Sequence, residues 1–181
     1  MTAIPVETHF IGAGQIYLDD ALYGSTRENN VFRIMQEIAA PRINGVGGRL
    51  ARTDYHTTLP FAELELTTVE LSDTNLAIMV PGSTSEAGSG DDAGFTVVSP
   101  PDQAARRLGS ADYHKWELVV PGIDGAELRL RIPIGMVISN AEFTAADSEN
   151  PLGPRLTIQS RIDPDDIEAA QWNVLYQAAG S

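Results

Sequence analysis

The chain has no cysteine. Disulfides, thiolate zinc sites and cysteine nucleophiles are therefore excluded, and the redox compartment is left open. It has a single lysine, Lys115, beside eleven arginines. These twelve bases stand against 25 acids, a formal net charge of −13 over 181 residues. A protein that grips DNA or RNA by its phosphates needs clustered Lys and Arg, so the balance argues against one. It argues equally against binding to an anionic membrane surface. No apolar run approaches the roughly 18–20 residues of a membrane span. Residues 1–8 have neither a basic region nor an apolar core, so no targeting segment is expected there and they read as an N-terminal arm.

What is present suits one folded domain over residues 1–181, since domains usually run about 100–200 residues. Apolar residues make up 43% of the chain, enough to bury a core and to set aside disorder. The charge is uneven. Residues 1–52 carry five bases and five acids, 53–105 carry nine acids and no base, and 106–181 carry seven bases and eleven acids. An acidic solvated surface explains this simply; one deliberately negative face is the sharper reading.

Short strand-like runs separated by turn residues predict a mainly β, sandwich- or barrel-like fold with one or two short helices and long loops. Residues 9–18 read as a short hairpin bent at Gly12 and Gly14. Residues 31–38 alternate, with Phe32, Ile34 and Ile38 on one face and Arg33 and Glu37 on the other. Residues 61–71 form a second strand in which Leu64 and Leu66 oppose Glu63 and Glu65. The clearest hairpin spans 115–133. A three-residue loop, Ile123-Asp124-Gly125, pairs Val120 with Leu128, Leu118 with Leu130 and Trp116 with Ile132, and sets Glu117 against Arg131 as a modest exposed pair. A two-residue loop would slip this register and mix apolar with charged residues on one face.

Two helices are expected. Ser72 can cap one over 73–80, stopped by Pro81-Gly82. Asp163-Pro164-Asp165-Asp166 reads as the start of another ending near Ala170, after which Trp172, Val174 and Leu175 dock onto the sheet. Two stretches lack a regular pattern: a long inter-strand loop at 40–59, bearing Arg42, Arg49 and Arg52, and a flexible Gly/Ser-rich loop at 81–94. Loops beyond about 12–15 residues usually serve a function or are disordered, so partners are expected to order them.

No catalytic, metal or cofactor site is predicted. His9, His56 and His114 have no partner at metal-ligand spacing. No nucleophile elbow or phosphate loop occurs; Gly12-Ala13-Gly14 leads into a strand and not a helix, so it lacks the phosphate-binding context. Asp163-Pro164-Asp165-Asp166 lacks the alternating ligands of a calcium loop.

The order of motifs resembles that of the major tail tube proteins of long-tailed bacteriophages. The run is Gly12-Ala13-Gly14-Gln15-Ile16-Tyr17-Leu18, then Asn44-Gly45-Val46-Gly47-Gly48-Arg49, then a strand ending Glu70-Leu71. Asn75-Leu76 and the Pro81-Gly82 stop follow. Asp112-Tyr113 leads into Trp116-Glu117-Leu118-Val119-Val120-Pro121-Gly122, and Asp163-Pro164-Asp165 precedes Gln171-Trp172, where the family commonly has Pro-Trp.

The resemblance implies a sandwich-like subunit that forms stacked hexameric rings, a hollow tube conducting DNA, with no cofactor and no catalysis. It implies a place in the virion tail after assembly in the host cytoplasm. Expected partners are further copies of the chain, tape-measure and tail terminator proteins, and DNA that passes without specific binding. Arg42, Arg49 and Arg52 would reach a neighbouring ring and pair with its acids. Glu63 and Glu65 are candidates for an acidic lumen wall that repels phosphates. Alternatives are a β-sandwich binding or virion decoration module, and a tube subunit of a related contractile or secretion apparatus.

Overall fold

The computed structural model describes residues 6–9, 13–26, 30–35, 38–39, 56–57, 61–67, 76–99, 110–122, 126–139 and 155–177. The chain is mainly β. In order it forms β1 (Val6–His9), β2 (Gln15–Leu18), β3 (Ala21–Ser25), β4 (Val31–Met35), β5 (Ile38–Ala39), β6 (His56–Thr57), β7 (Phe61–Thr67), α1 (Leu76–Met79), β8 (Thr84–Ala87), β9 (Thr96–Ser99), β10 (His114–Pro121), β11 (Glu127–Val137), β12 (Arg155–Ser160) and β13 (Asn173–Gln177).

Nine strands make one antiparallel sheet in the order β1-β4-β7-β12-β11-β10-β2-β3, with β13 also on β11. The sheet divides at β11. Residues 135–137 of β11 pair with β12, while residues 127–131 pair with β13 on the same edge. One arm is β1-β4-β7-β12; the other is β13-β11-β10-β2-β3. Both arms turn the same face onto one core of Ile16, Tyr23, Phe32, Ala62, Leu64, Leu66, Trp116, Leu118, Leu130, Ile132, Leu156 and Ile158, joined by Met79 of α1. Fully burying each large apolar side chain contributes about 1.5–3 kcal/mol.

The alternation seen in the sequence sets the faces. In β7, Ala62, Leu64 and Leu66 are buried while Phe61, Glu63, Glu65 and Thr67 are not. In β12, Leu156, Ile158 and Ser160 point inward. The β10–β11 register is the expected one: Val120 faces Leu128, Leu118 faces Leu130, Trp116 faces Ile132 and Glu117 faces Arg131. The closing pair is Gly122 N–H to Ala126 C=O at 2.7 Å; the turn residues 123–125 lie outside the described residues. A buried knot joins the entry of β2 to the exit of β3. Gly14 N–H donates to Thr26 Oγ1 at 2.9 Å, and Asn30 Nδ2 donates to the same oxygen at 2.7 Å.

Several expectations are corrected. Residues 6–8 of the expected arm belong to β1, which pairs with β4, because Val6 through His9 can complete that strand's open edge. Residues 9–18 are not one hairpin: β1 lies on one arm and β2 on the other. The hairpin partner of β2 is β3, across a turn in which Asp19 and Asp20 both have positive φ, 48° and 68°. Asp tolerates that conformation better than most residues.

The 81–94 stretch is not a loop throughout, since Thr84–Ala87 pairs with Thr96–Ser99 as a separate hairpin. The β-branched Thr96, Val97 and Val98 give the polar β8 a partner. The 40–59 loop begins inside a two-residue ladder, Ile38 with Thr57 and Ala39 with His56, leaving 40–55 and 58–60 outside the described residues. The first expected helix is shorter, Leu76–Met79, with residues 72–75 outside the described ones; Gly82, at φ 84°, follows it.

No helix forms at 163–170. Asp163 Oδ1 accepts the Asp165 N–H at 2.9 Å and Asp166 Oδ1 accepts that of Glu168 at 3.3 Å. The first bond is the kind that caps a helix start, yet residues 164–170 are all exposed, so no apolar face rewards a helix.

Candidate assembly surfaces

Three kinds of surface stand out: uncharged sheet edges, paired polar faces, and one cleft. Among the described residues, the β13-β11-β10-β2-β3 arm ends at β3 on one side and β13 on the other. Their sequences, Ala-Leu-Tyr-Gly-Ser and Asn-Val-Leu-Tyr-Gln, hold no charge and no proline. Leu22 on β3 is 60% exposed and Tyr176 on β13 is 71% exposed, with Val174 and Leu175 also exposed. Sheet edges are usually blunted by Lys, Pro or an inward charge. These two are not, in a chain that carries −13 elsewhere. Trp172 packs against the core as expected, but Val174 and Leu175 pair along β11 without being buried.

The polar face of the first arm holds Glu63 and Glu65, as the alternation predicts. Neither is a bare acid. Glu65 accepts from Arg33 of β4 on one side and from Arg155 of β12 on the other, the latter at 2.7 Å. Burial alone would raise the Glu65 carboxyl; the hydrogen bonds and charges of the two arginines outweigh it and hold the group below its ordinary range. Glu63 Oε1 accepts from Gln159 Nε2 at 2.9 Å.

The second arm repeats the arrangement. Glu117 accepts from Arg131 Nε at 2.7 Å and Arg129 Nη1 at 3.3 Å. Glu117 is buried, which corrects the expectation of an exposed pair. Tyr17 of β2 lies directly beside it and two arginines of β11 close over it, so three strands enclose one carboxylate. Cross-strand register predicts Arg131; the diagonal Arg129 and the strands β4 and β12 beside Glu65 could be found only once strand order was known.

The cleft, of about 960 Å³, sits where β2 ends, β10 and β7 begin and β12 ends. Phe61, Tyr113, Pro133, Ile134, Ile162 and Pro164 give it an apolar lining, with Asp19, Asp163 and Asp165 among its acids and Lys115 and Arg161 its cations. His114 Nδ1 lies 2.7 Å from Asp19 Oδ2, and Lys115 N–H donates to Asp19 Oδ1 at 2.8 Å. These contacts pin the β2–β3 turn to the start of β10. Ser160 also borders the cleft, but its Oγ is buried and accepts the Ala62 N–H at 2.8 Å.

Among the described residues, no group of three His, Asp or Glu is placed to hold a metal ion, and no helix is long and apolar enough to cross a membrane. Arg42, Arg49 and Arg52 lie outside the described residues. No protein-family model matches the chain, and no curated protein matches it.

Proposed function

We propose that the chain is a structural subunit that assembles side by side into rings and then into a tube, as the resemblance to phage tail tube proteins implies. The observation that carries the reading is the pair of uncharged, apolar edges on opposite sides of one five-stranded arm. Following the antiparallel order, β3 and β13 run in the same direction. Set beside β13 of a second copy, β3 extends the sheet as a parallel pair. The two patches differ, so the contact is heterologous, and such contacts generate rings when the rotation closes. Such a contact covers Leu175 and Tyr176, both exposed in the single chain.

The arginines of both sheet faces bear on the passage of DNA. Arg33 and Arg155 are engaged by Glu65, and Arg129 and Arg131 by Glu117. A wall built from either face offers phosphates no uncommitted guanidinium from these four residues, and counterion release on binding is correspondingly small. Charge pairing together with the overall −13 keeps a polyanion moving, a refinement of the bare acidic wall expected from Glu63 and Glu65. Light scattering across a wide concentration series tests the reading. Growth to ring-sized and larger particles is expected, whereas a strict monomer at the highest concentration favours the binding-module alternative.

A further inference from the structure

We infer that the cleft between β2, β7, β10 and β12 binds a short zwitterionic peptide, a dipeptide with apolar side chains and both termini free. The inference goes beyond the ring reading and does not depend on it. The first observation is an exception among the described arginines. Arg33 and Arg155 pair with Glu65, and Arg129 and Arg131 with Glu117. Arg161, which lines the cleft, has no carboxylate partner among the described residues, in a chain where 25 acids face 12 bases. A half-buried charge without a counter-ion is unfavourable. Its Nη1 donates to Gln159 Oε1, and Gln159 Nε2 donates onward to Glu63 Oε1 at 2.9 Å. This relay holds the guanidinium and leaves its Nε and Nη2 without a bond to a described residue. That edge is the fork that takes a carboxylate through two parallel hydrogen bonds.

The second observation is the balance of the remaining charges. Asp19, His114 and Lys115 are engaged within the fold: His114 Nδ1 lies 2.7 Å from Asp19 Oδ2, Lys115 N–H donates to Asp19 Oδ1 at 2.8 Å, and Lys115 Nζ pairs with Asp20. Asp163 and Asp165 are in no ion pair with a described residue, and Asp163 uses only Oδ1, to accept the Asp165 N–H. The cleft therefore presents one uncommitted cation and two uncommitted carboxylates around Phe61, Tyr113, Ile134 and Ile162. A plain anion drawn to Arg161 would meet Asp163 and Asp165, and a plain cation drawn to those acids would meet Arg161. A ligand with both charges avoids either conflict. Arg161 and Asp163 are two residues apart, so their Cα atoms lie at most about 7 Å from each other. The termini of a dipeptide stand about as far apart, whereas a single amino acid carries both charges on one carbon. The terminus of a longer chain brings only one of the two charges. At about 960 Å³ the cleft also has room for two apolar side chains on its lining.

Calorimetric titration of the unaltered chain with leucyl-phenylalanine, its N-acetyl form and its C-terminal amide tests the site, at about pH 7 where an α-amino group is mostly protonated. The free dipeptide is expected to bind saturably. Removing either terminal charge is expected to weaken binding at least about tenfold, the loss of a hydrogen-bonded charge in each case. Arg161→Gln is expected to bind the dipeptide and its amide equally while still discriminating against the acetyl form, and Asp163→Asn with Asp165→Asn to do the reverse. No saturable binding of the free dipeptide at millimolar concentration overturns the inference. Equal binding of all three peptides overturns it too, since an apolar contact alone would then hold them. Unchanged discrimination in both variants, shown by melting to be folded, places the peptide outside the cleft and overturns it as well. Light scattering reads assembly separately, so a failure of the ring reading and a failure of this site are told apart.

Discussion

Arg155 on β12 donates to the Glu65 carboxylate of β7 at 2.7 Å, and Arg33 on β4 holds the same carboxylate from the other side. One acid thus joins three neighbouring strands on the polar face. Glu65 has a lowered pKa, so its contribution to stability is present above the unfolded value of about 4.3 and is lost as pH falls through the folded one. Acid titration of the melting temperature is therefore expected to show a steeper loss below about pH 4.5 in the unaltered protein than in Glu65→Gln. At pH 7 the same variant is expected to cost about 1–2 kcal/mol, discounted because Arg155 is largely exposed. An unchanged acid limb would remove Glu65 from this role.

Gly135 sets how closely β11 approaches the core. A Cβ there would meet Ile158 Cγ2 at 2.8 Å, with Ile132 Cγ2 and Trp116 Cδ1 each at 2.9 Å. Gly135→Ala is expected to destabilise by about 1–3 kcal/mol through overpacking, read by denaturant unfolding, with a change in the near-ultraviolet signal of Trp116. A variant as stable as the parent would mean that the core has slack at this point.

Much of the sheet was legible in the sequence where side chains pair locally. The 115–133 hairpin is set by three apolar pairs and Glu117 with Arg131, so its register could be read without a structure. The β7 faces follow from simple alternation. Partners distant in the chain were not legible. β1 and β2 are close in sequence but lie on opposite arms, because β4 and β10, and not each other, offer them open edges. β3 was missed because Asp19-Asp20 replaces the usual glycine-containing turn. The helix expected at 163 fails although Asp163 is a good cap, because residues 164–170 are exposed and no packing rewards it. The cleft had no sequence signal at all, since Asp19, Phe61, His114 and Asp163 meet only through the fold.

The edge contact makes a prediction separable from folding. Leu175→Lys with Tyr176→Lys places charge on an exposed edge, where substitutions usually change stability by less than about 0.5 kcal/mol. Thermal melting is expected to be unchanged and assembly by light scattering abolished. Full assembly by this variant would exclude β13 from the interface.

Reversing the acids of the first arm tests the paired wall. Glu63→Lys with Glu65→Lys adds two cations and releases Arg33 and Arg155 from Glu65. If this face borders the channel, DNA ejection from otherwise normal tubes is expected to slow, with a delay that shortens as salt rises. Ejection at the unaltered rate would assign the channel to another face.

The most direct test is an electron-microscope image of the purified protein at high concentration, taken beside the Leu175→Lys, Tyr176→Lys variant. Closed rings or tubes from the unaltered chain, absent from the edge variant, are the expected result. Separate particles of single-subunit size from the unaltered chain would contradict a tube subunit.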